Sequence, residues 1–289
     1  IIISVSVNDL NKIIDSALAS GLPEGSISAL SYSGRLNGLI LEIFISAIAT
    51  VLFPMLSKEA AGRSYEKLKS LIRTGVNIIL LITIPSTLAM IMLAKPLVRL
   101  VFERGAFDAL ATQMTSEALI FYSLGMIAMA LRSFLEVTYY SLSDTKTPMF
   151  NGFAAVALNI LLNLILVRFM LHSGLALATS LATILTTAYL FFGLRKKVSS
   201  LKSFALLKPA IKFVASSVVM GIWIFLAYFF FEAATLGSRI KELALMFFTI
   251  LIAVIIYLVM IYLLKVEELS WLVNLLRKRI GRLRRNESQ

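Results

Sequence analysis

The segment from Ser28 to Pro54, "SALSYSGRLNGLILEIFISAIATVLFP", decides the fold class because it is apolar enough to cross a bilayer yet contains Arg35 and Glu42. A spanning α-helix needs about 20 mainly apolar residues. A charge near the centre of such a helix costs roughly 2.5 to 3.5 kcal/mol on insertion scales, so it usually faces a cavity or a partner. The segment therefore predicts a membrane-spanning helix with one face turned toward protein or water.

The composition of the whole chain agrees with a membrane protein. Of its 289 residues, 59% are hydrophobic and only 15% are charged, whereas a soluble domain is about a quarter charged. The absence of cysteine and the single histidine, His172, argue against a zinc site or a Ser-His-Asp enzyme. The net charge of +12 is expected to hold loops at anionic lipid, not to bind nucleic acid.

Eight apolar segments, separated by turn sequences such as "GLPEGS", "LSDTKTP" and "HSG", predict an all-α polytopic transmembrane bundle. Several segments are long enough to require tilting or extension into the headgroup region. The predicted spans are Ile1–Ser20, Ser26–Leu56, Leu71–Leu93, Ala109–Leu142, Thr147–Leu171, Gly174–Leu194, Leu206–Phe231 and Glu242–Leu264.

The positions of lysine and arginine predict the orientation of these spans. If the amino end is cytoplasmic, most of the 28 basic residues fall on the cytoplasmic side, which places both ends of the chain inside. Two further segments are predicted to lie at membrane surfaces. One is a short outer helix over Leu93–Phe107, and the other is an amphipathic, basic cytoplasmic tail whose positive end follows Leu276.

Polar side chains recur at helical spacing in three of the predicted spans. Asp15 belongs to a polar stripe on the first, Asn159 and Asn163 lie one turn apart on the fifth, and Thr179 lies on the sixth. Two hypotheses fit this pattern. The residues form interhelical hydrogen bonds, or Asp15 and the neutral oxygens form a cage whose single negative charge suits a monovalent cation better than calcium.

The charged residues of the second and fourth spans differ in their local partners. Arg132 and Glu136 are spaced i,i+4 and are expected to neutralise each other. Arg35 has no acid three or four positions away, and Glu42 lies about two turns, roughly 10.5 Å, along the helix axis. Arg35 therefore needs an acid from another helix or an anionic ligand, and its planar guanidinium suits phosphate.

Six motifs closely resemble the MurJ (MviN) lipid II flippase family of the multidrug/oligosaccharidyl-lipid/polysaccharide exporter superfamily. The resemblance runs in order from about residue 9 to residue 197, and "FERGAF" with "DTKTP" is its most specific part. The motifs are "DSALASGLPEGSISALSYSGRL", "ATVLFPMLSKEAA", "LVRLVFERGAFD", "SLSDTKTPM", "LNILLNLIL" and "GLALATSLA".

The resemblance implies an architecture for the chain. Family members have fourteen spans, so the eight spans here correspond to spans seven to fourteen, and the amino-terminal lobe is missing. Residues 1–197 would form the second six-helix lobe, residues 198–265 an additional helix pair with a groove for a lipid tail, and residues 266–289 the basic tail. The expected location is the bacterial cytoplasmic (inner) membrane.

The resemblance also implies a function and a set of site residues. The whole protein would move lipid II, the undecaprenyl-diphosphate-linked peptidoglycan precursor, to the outer leaflet by alternating access. Membrane potential or an ion gradient would drive it, since the sequence contains no GxxxxGK[ST] loop. Arg35, with Glu42 near it, would contact the substrate. A monovalent cation, with sodium as the candidate, would bind at Asp15, Asn159, Asn163, Thr179 and the carbonyl of Leu175.

Two departures from the family pattern and two alternative functions accompany this interpretation. Gly34 stands where an acid often precedes the family arginine, and Asn163 is neutral where a second acid can occur. The alternatives are a polysaccharide-lipid flippase or drug exporter of the same superfamily, and a membrane-embedded transferase acting on a lipid-linked sugar. A transferase would need clustered acids, whereas Asp15, Glu42 and Glu136 lie on three different helices.

Overall fold

The computed structural model describes residues 11, 13–62, 65–198, 204–235 and 237–266, and every structural statement below refers to these residues. The predicted beginning of the first span, Lys12 and the basic tail after residue 266 lie outside them. Within this range the chain is a bundle of antiparallel and parallel helices, as predicted. The helices are α1 (13–19), α2 (Ser26–Ala61), α3 (Tyr65–Phe102), α4 (Ala109–Ser141), α5 (Lys146–Lys197), α6 (Phe204–Thr235) and α7 (Arg239–Leu263).

The long helix α5 is a hairpin of two arms that reverses direction at Leu171, where φ is 50° and ψ is −132°. Asn159 Nδ2 lies 3.1 Å from Thr179 Oγ1, although a straight helix would separate residues twenty positions apart by about 30 Å. A Cβ on Gly174 would lie 2.5 Å from the carbonyl oxygen of Leu166. Only glycine therefore allows the arms, α5a (146–170) and α5b (172–197), to meet this closely.

The prediction of a separate surface helix over Leu93–Phe107 is wrong. Helix α3 continues to Phe102 through Pro96 without a break. Leu93, Ala94 and Val98 are at most 4% exposed. Ala94 and Val98 pack with side chains of α2 and α4. Continuous burial of one apolar face keeps the helix intact, because a helix in a packed bundle tolerates the missing proline N–H when its neighbours compensate.

Helix α4 and arm α5b run parallel and are joined by side chains that donate to backbone carbonyls of the facing helix. Ser180 Oγ donates to the Phe121 carbonyl (2.6 Å) and Thr187 Oγ1 to the Ala128 carbonyl (3.1 Å). Between these two hydrogen bonds, a Cβ on Gly125 of α4 would lie 2.8 Å from the Cα of Ser180. Small residues let two helices in lipid approach closely enough for dispersion and hydrogen bonding to hold them.

The pair α6–α7 packs on α3, and a proline creates one of the contacts. Pro85 has no N–H, so the carbonyl of Leu81 one turn earlier loses its helical partner. The hydroxyl of Tyr257 on α7 donates to that carbonyl at 2.6 Å. Nearer the end of α3, Arg99 lies 3.4 Å from both Glu232 of α6 and Glu242 of α7. The pair is therefore attached to α3 at two levels.

Five of the described helices, α3 to α7, are long and apolar enough to cross a membrane. Each arm of α5 has about 25 residues, which also suffices for a crossing. The helix order, the turns and the hairpin agree with the predicted polytopic bundle, and the helix ends differ from the prediction by at most nine residues, at the end of α3.

Replacing Tyr257 with phenylalanine should cost about 1 kcal/mol of unfolding free energy, because the buried Leu81 carbonyl would lose the hydroxyl that donates to it. The matched control is Tyr262→Phe, since Tyr262 is 74% exposed. In a Pro85→Ala background the amide of residue 85 can donate to Leu81, so the cost of Tyr257→Phe should shrink. Denaturation in detergent micelles would measure the unfolding free energies of the single and double variants. An equal cost of Tyr257→Phe in both backgrounds would contradict a role for Tyr257 as the replacement donor to Leu81.

Candidate functional site

The structure brings together all five residues of the predicted cation site. Asn163 Nδ2 donates to Asp15 Oδ1 at 2.6 Å and to Asn159 Oδ1 at 3.0 Å. Asn159 Nδ2 donates to Thr179 Oγ1 at 3.1 Å, and that hydroxyl donates to the carbonyl of Leu175 at 3.1 Å. We call these five residues the polar cluster. It joins α1, α5a and α5b.

The two asparagines of the polar cluster are buried, whereas Asp15 and Thr179 are half-buried, and one amide oxygen has no partner. The side chains of Asn159 and Asn163 are fully buried. Asn163 Oδ1 has no hydrogen-bond partner among the described residues, which is unusual because nearly all buried polar atoms in native proteins are paired. The Asn163 amide is thus the hub of the cluster, with its NH₂ group donating to two oxygens and its own oxygen unused.

Helical spacing and the α5 hairpin together explain why the cluster forms. Asn159 and Asn163 lie one turn apart on α5a, as do Leu175 and Thr179 on α5b, so each arm presents two groups on one face. The reversal at Leu171 sets these faces opposite each other. An apolar cluster of Ala19 of α1 with residues of α2, α4 and α5b, including Leu175, then holds the end of α1 beside the arm.

Arg35 and Glu42 lie on an exposed face of α2, outside the polar cluster. The exposed residues Ser28, Ser31, Arg35, Leu39 and Glu42 follow one another at intervals of three or four, which defines a single stripe along the helix. Within the described part of the chain, no ion pair joins Arg35 to an acid. The guanidinium group is therefore presented on the open side of the bundle.

The fourth-helix pair adopts the geometry expected from its spacing. Arg132 Nε donates to Glu136 Oε1 at 2.9 Å, and both side chains are largely buried. Such a pair removes the net charge of its members from the bundle. Of the described residues, neither Arg132 nor Glu136 has a hydrogen bond or ion pair with the polar cluster.

The "FERGAF" motif holds the loop between α3 and α4 against α2. The ring of Tyr32 on α2 lies 4.7 Å from that of Phe102 and 5.6 Å from that of Phe107, centroid to centroid. Glu103 accepts a hydrogen bond of 2.6 Å from Thr112 Oγ1 on α4. The aromatic contact could not be predicted from the motif, because Tyr32 lies about 70 residues earlier in the sequence.

The "DTKTP" motif closes the other end of the α5 hairpin through Asp144. Its carboxylate accepts hydrogen bonds from the Thr147 amide at 3.0 Å and the Thr147 hydroxyl at 2.6 Å. It also pairs with Lys197 at the end of α5b. Partial burial alone would raise the pKa of Asp144, but the bonds from Lys197 and Thr147 outweigh it and lower the pKa to about 2. By accepting from the Thr147 amide, Asp144 satisfies one of the unpaired N–H groups of the first turn of α5.

The chemistry available to the polar cluster is that of a weakly charged oxygen site. Over the ranges that the structure describes, no group of three or more His, Asp or Glu side chains could hold a metal ion. Asp15 is the single anion of the cluster, and its other oxygens belong to amides, a hydroxyl and a carbonyl. Such a set suits hydrogen bonding or a singly charged cation more than Ca²⁺, which recruits several carboxylates.

Over the described residues, a bundle of long apolar helices that encloses buried asparagines defines a polytopic membrane protein of the all-α class. The sequence matches the family model described as "Lipid II flippase MurJ" over residues 1–245. The chain belongs to the MurJ family, which confirms the resemblance. It is 39% identical over 190 residues to a probable lipid II flippase MurJ of Vibrio cholerae, which covers 66% of this chain and 36% of that protein. A Thermotoga maritima relative of the same description is 33% identical over 92% of this chain and 52% of its own length.

Solved structures show the same fold. "Lipid II flippase MurJ, inward closed conformation" matches with a TM-score of 0.73 at 29% identity, over 89% of this chain and 51% of that one. A multidrug resistance MATE family transporter of the MOP superfamily in an outward-facing conformation matches with a TM-score of 0.60 at 18% identity, over 89% and 59%. The chain spans about half the length of the relatives that it matches, or less.

Replacing Asp144 with asparagine should destabilise the α5 hairpin above about pH 4 and have little effect near pH 2. The native pKa lies below the ordinary value of 3.8, so the carboxylate stabilises the folded state above pH 3.8 and loses this effect as the pH falls through about 2. The expected loss at pH 7 is about 1 kcal/mol or less.

Unfolding in detergent as a function of pH would measure the effect of Asp144→Asn. Asp108→Asn is the matched control, because Asp108 caps α4 through the Ala111 amide at 2.9 Å and has no ion pair among the described residues. Asparagine caps a helix as well as aspartate does. A pH-independent difference between Asp144→Asn and the native protein would contradict the ion-pair contribution.

Proposed function

We propose that this chain is the carboxy-terminal half of a lipid II flippase and that Arg35 contacts the diphosphate of the substrate. The observation that carries the proposal is the exposed stripe on α2, where the guanidinium of Arg35 forms no ion pair with any acid of the described residues. An arginine in that position is stable only opposite water, an anion or another part of the protein. A diphosphate offers it bidentate hydrogen bonding.

Membership of the family supports lipid II as the transported substrate. The greater length of the relatives suggests that a further part of the protein faces the exposed stripe on α2. Relatives named probable lipid II flippase are about twice as long as this chain. We infer that a further lobe packs against α2 and encloses a cavity containing Arg35 and Glu42, and that rocking of the two lobes gives alternating access. The chemistry is transport without bond making, so no catalytic residues are assigned.

The additional pair α6–α7 is proposed to receive the lipid tail. Its outward surface is densely aromatic and apolar, and several phenylalanine rings contact one another on it at centroid distances of 5.1 to 5.9 Å. Such a surface offers favourable dispersion contacts to a long isoprenoid chain. The exposed phenylalanines of this surface are Phe225, Phe229, Phe230, Phe247 and Phe248.

The polar cluster is proposed to bind a monovalent cation, for which sodium is the candidate. The unused Oδ1 of buried Asn163 supports this proposal. Rotating the amide of Asn163 by half a turn would exchange its NH₂ group for this oxygen, opposite Asp15 and Asn159. A cation would then replace the NH₂ hydrogens as the positive partner of the surrounding oxygens. The residues present fit such an ion, with Asp15 supplying the compensating charge.

The proposed location is the bacterial inner membrane with the carboxy terminus in the cytoplasm. The excess of lysine and arginine in the loops assigned to the cytoplasmic side supports this orientation. Energy would come from membrane potential or an ion gradient. The alternative cargoes of the superfamily gain no support from a specific side chain of the described residues.

In the full-length protein, Arg35→Ala should weaken lipid II binding by about tenfold or more, since a charged hydrogen-bonding partner is worth 1.5 to 3 kcal/mol. Arg35→Lys should retain part of the affinity because it keeps the charge and loses the planar fork. Arg168→Ala is the matched control, an exposed arginine on α5a. Binding to purified protein and rescue of a depletion strain are the measurements, and unchanged binding in Arg35→Ala would rule out the contact.

Sodium should raise the melting temperature of the full-length protein in detergent, and Asp15→Asn should abolish the increase because the only anion of the polar cluster is lost. Choline at equal ionic strength controls for screening. Thr187→Val controls for loss of a buried threonine hydrogen bond outside the cluster. A sodium effect that persists in Asp15→Asn would place the ion elsewhere.

A further inference from the structure

The tip of the α5 hairpin is fastened to α4 by the single histidine of the chain. His172 Nε2 lies 3.0 Å from the carbonyl oxygen of Met114. A carbonyl can only accept, so Nε2 carries the hydrogen and the ring is in its Nε2–H tautomer. His172 is 6% exposed, and Nδ1 has no partner among the described residues.

His172 lies beside Ser173 and near Glu117, a combination that occurs in hydrolases, but the geometry does not provide a nucleophile. Ser173 Oγ is 3.4 Å from His172 Nε2 and 3.5 Å from Glu117 Oε2. Nε2 already carries a hydrogen that is donated to Met114, so it cannot accept the serine proton. The other nitrogen, Nδ1, has no serine within hydrogen-bonding distance in the described residues. The group is therefore an attachment point, not a reaction centre.

The attachment lies directly beside the polar cluster. Leu175, whose carbonyl accepts from Thr179, follows His172 by three residues, and both belong to α5b. The Leu175 and Ala176 side chains are fully buried in the apolar cluster that also contains Ala19, four residues after Asp15. The position of the first turn of α5b thus determines the positions of two of the cluster oxygens and of the helix carrying Asp15.

The backbone at the tip makes the first turn of α5b dependent on contacts with α4, which His172 makes through Met114 and Ser173 through Glu117. Leu171 has a positive φ of 50°, a conformation that costs a non-glycine residue about 1 kcal/mol or more. Gly174 is tight against Leu166. The reversal is strained at Leu171 and closely packed at Gly174, so a contact with another helix helps to hold it. His172 of α5b makes such a contact with Met114 of α4.

We propose that His172 is a positioning residue for the cation site of the polar cluster. Its hydrogen bond to Met114 holds the first turn of α5b against α4, whereas Ser180 and Thr187 hold the later turns. It so positions the carbonyl of Leu175 at the ion and, through that carbonyl, the hydroxyl of Thr179. This inference rests on the proposed cation site. It assigns the histidine no contact with the ion or the substrate.

The test is the sodium concentration that gives half of the increase in melting temperature in the full-length protein. His172→Phe keeps a planar ring and removes the donor, and it should raise this concentration about tenfold, a loss typical of groups that orient ligands. His172→Gln places an amide N–H near the position of Nε2 and should stay within about twofold of the native value. His172→Asn, whose amide is too short to replace Nε2, should behave like His172→Phe.

The outcomes separate the inference from the proposal on which it depends. A native sodium midpoint in both His172→Phe and His172→Asn, together with loss of the response in Asp15→Asn, would overturn the role of His172 and leave the cation site standing. Absence of any sodium response in the native protein would overturn both. Should His172→Phe fail to accumulate, His172→Asn carries the test. Rescue by glutamine distinguishes positioning from a general loss of stability, which would lower the sodium-free melting temperature without moving the midpoint.

Discussion

The reversal at Leu171 is the constraint on which the described structure depends. It folds 52 helical residues into two antiparallel arms, and each consequence follows from the contact between those arms. Asn159 meets Thr179 only because the chain doubles back. At the opposite end, the Asp144 carboxylate joins both arms. Because Gly174 permits the close approach, a single small residue controls the spacing of the polar cluster.

The sequence predicted the number and order of helices well because each span is long and apolar and is bounded by recognisable turn residues. Helical spacing within apolar segments singled out Asp15, Asn159, Asn163 and Thr179 as polar residues, and the family resemblance added the carbonyl of Leu175. The prediction failed at the end of α3, where proline and basic residues suggested a separate surface helix. Burial of Ala94 and Val98 against two other helices overrides that local signal, and such long-range packing leaves no local mark.

Backbone groups without helical partners explain several contacts that the sequence could not reveal. In lipid no water satisfies an exposed carbonyl, so each gap in a helix must be filled by protein. Tyr257 fills the gap made by Pro85. The donor and the acceptor are 176 residues apart, and no pattern near either one predicts the pairing. His172 and Met114 are 58 residues apart, so their contact is hidden in the same way, and the sequence indicated only a turn at the histidine.

The contact between Gly125 and Ser180 limits how this family member can change. Since a methyl group on residue 125 would collide with the backbone of the facing helix, the glycine cannot be exchanged by shrinking its neighbour, and a larger residue at either position requires α4 and α5b to separate. Separation would break the hydrogen bonds of Ser180 and Thr187 together. The effects of substitutions at Gly125, Ser180 and Thr187 should therefore depend on one another. Substitutions on the lipid-facing surface should be tolerated independently.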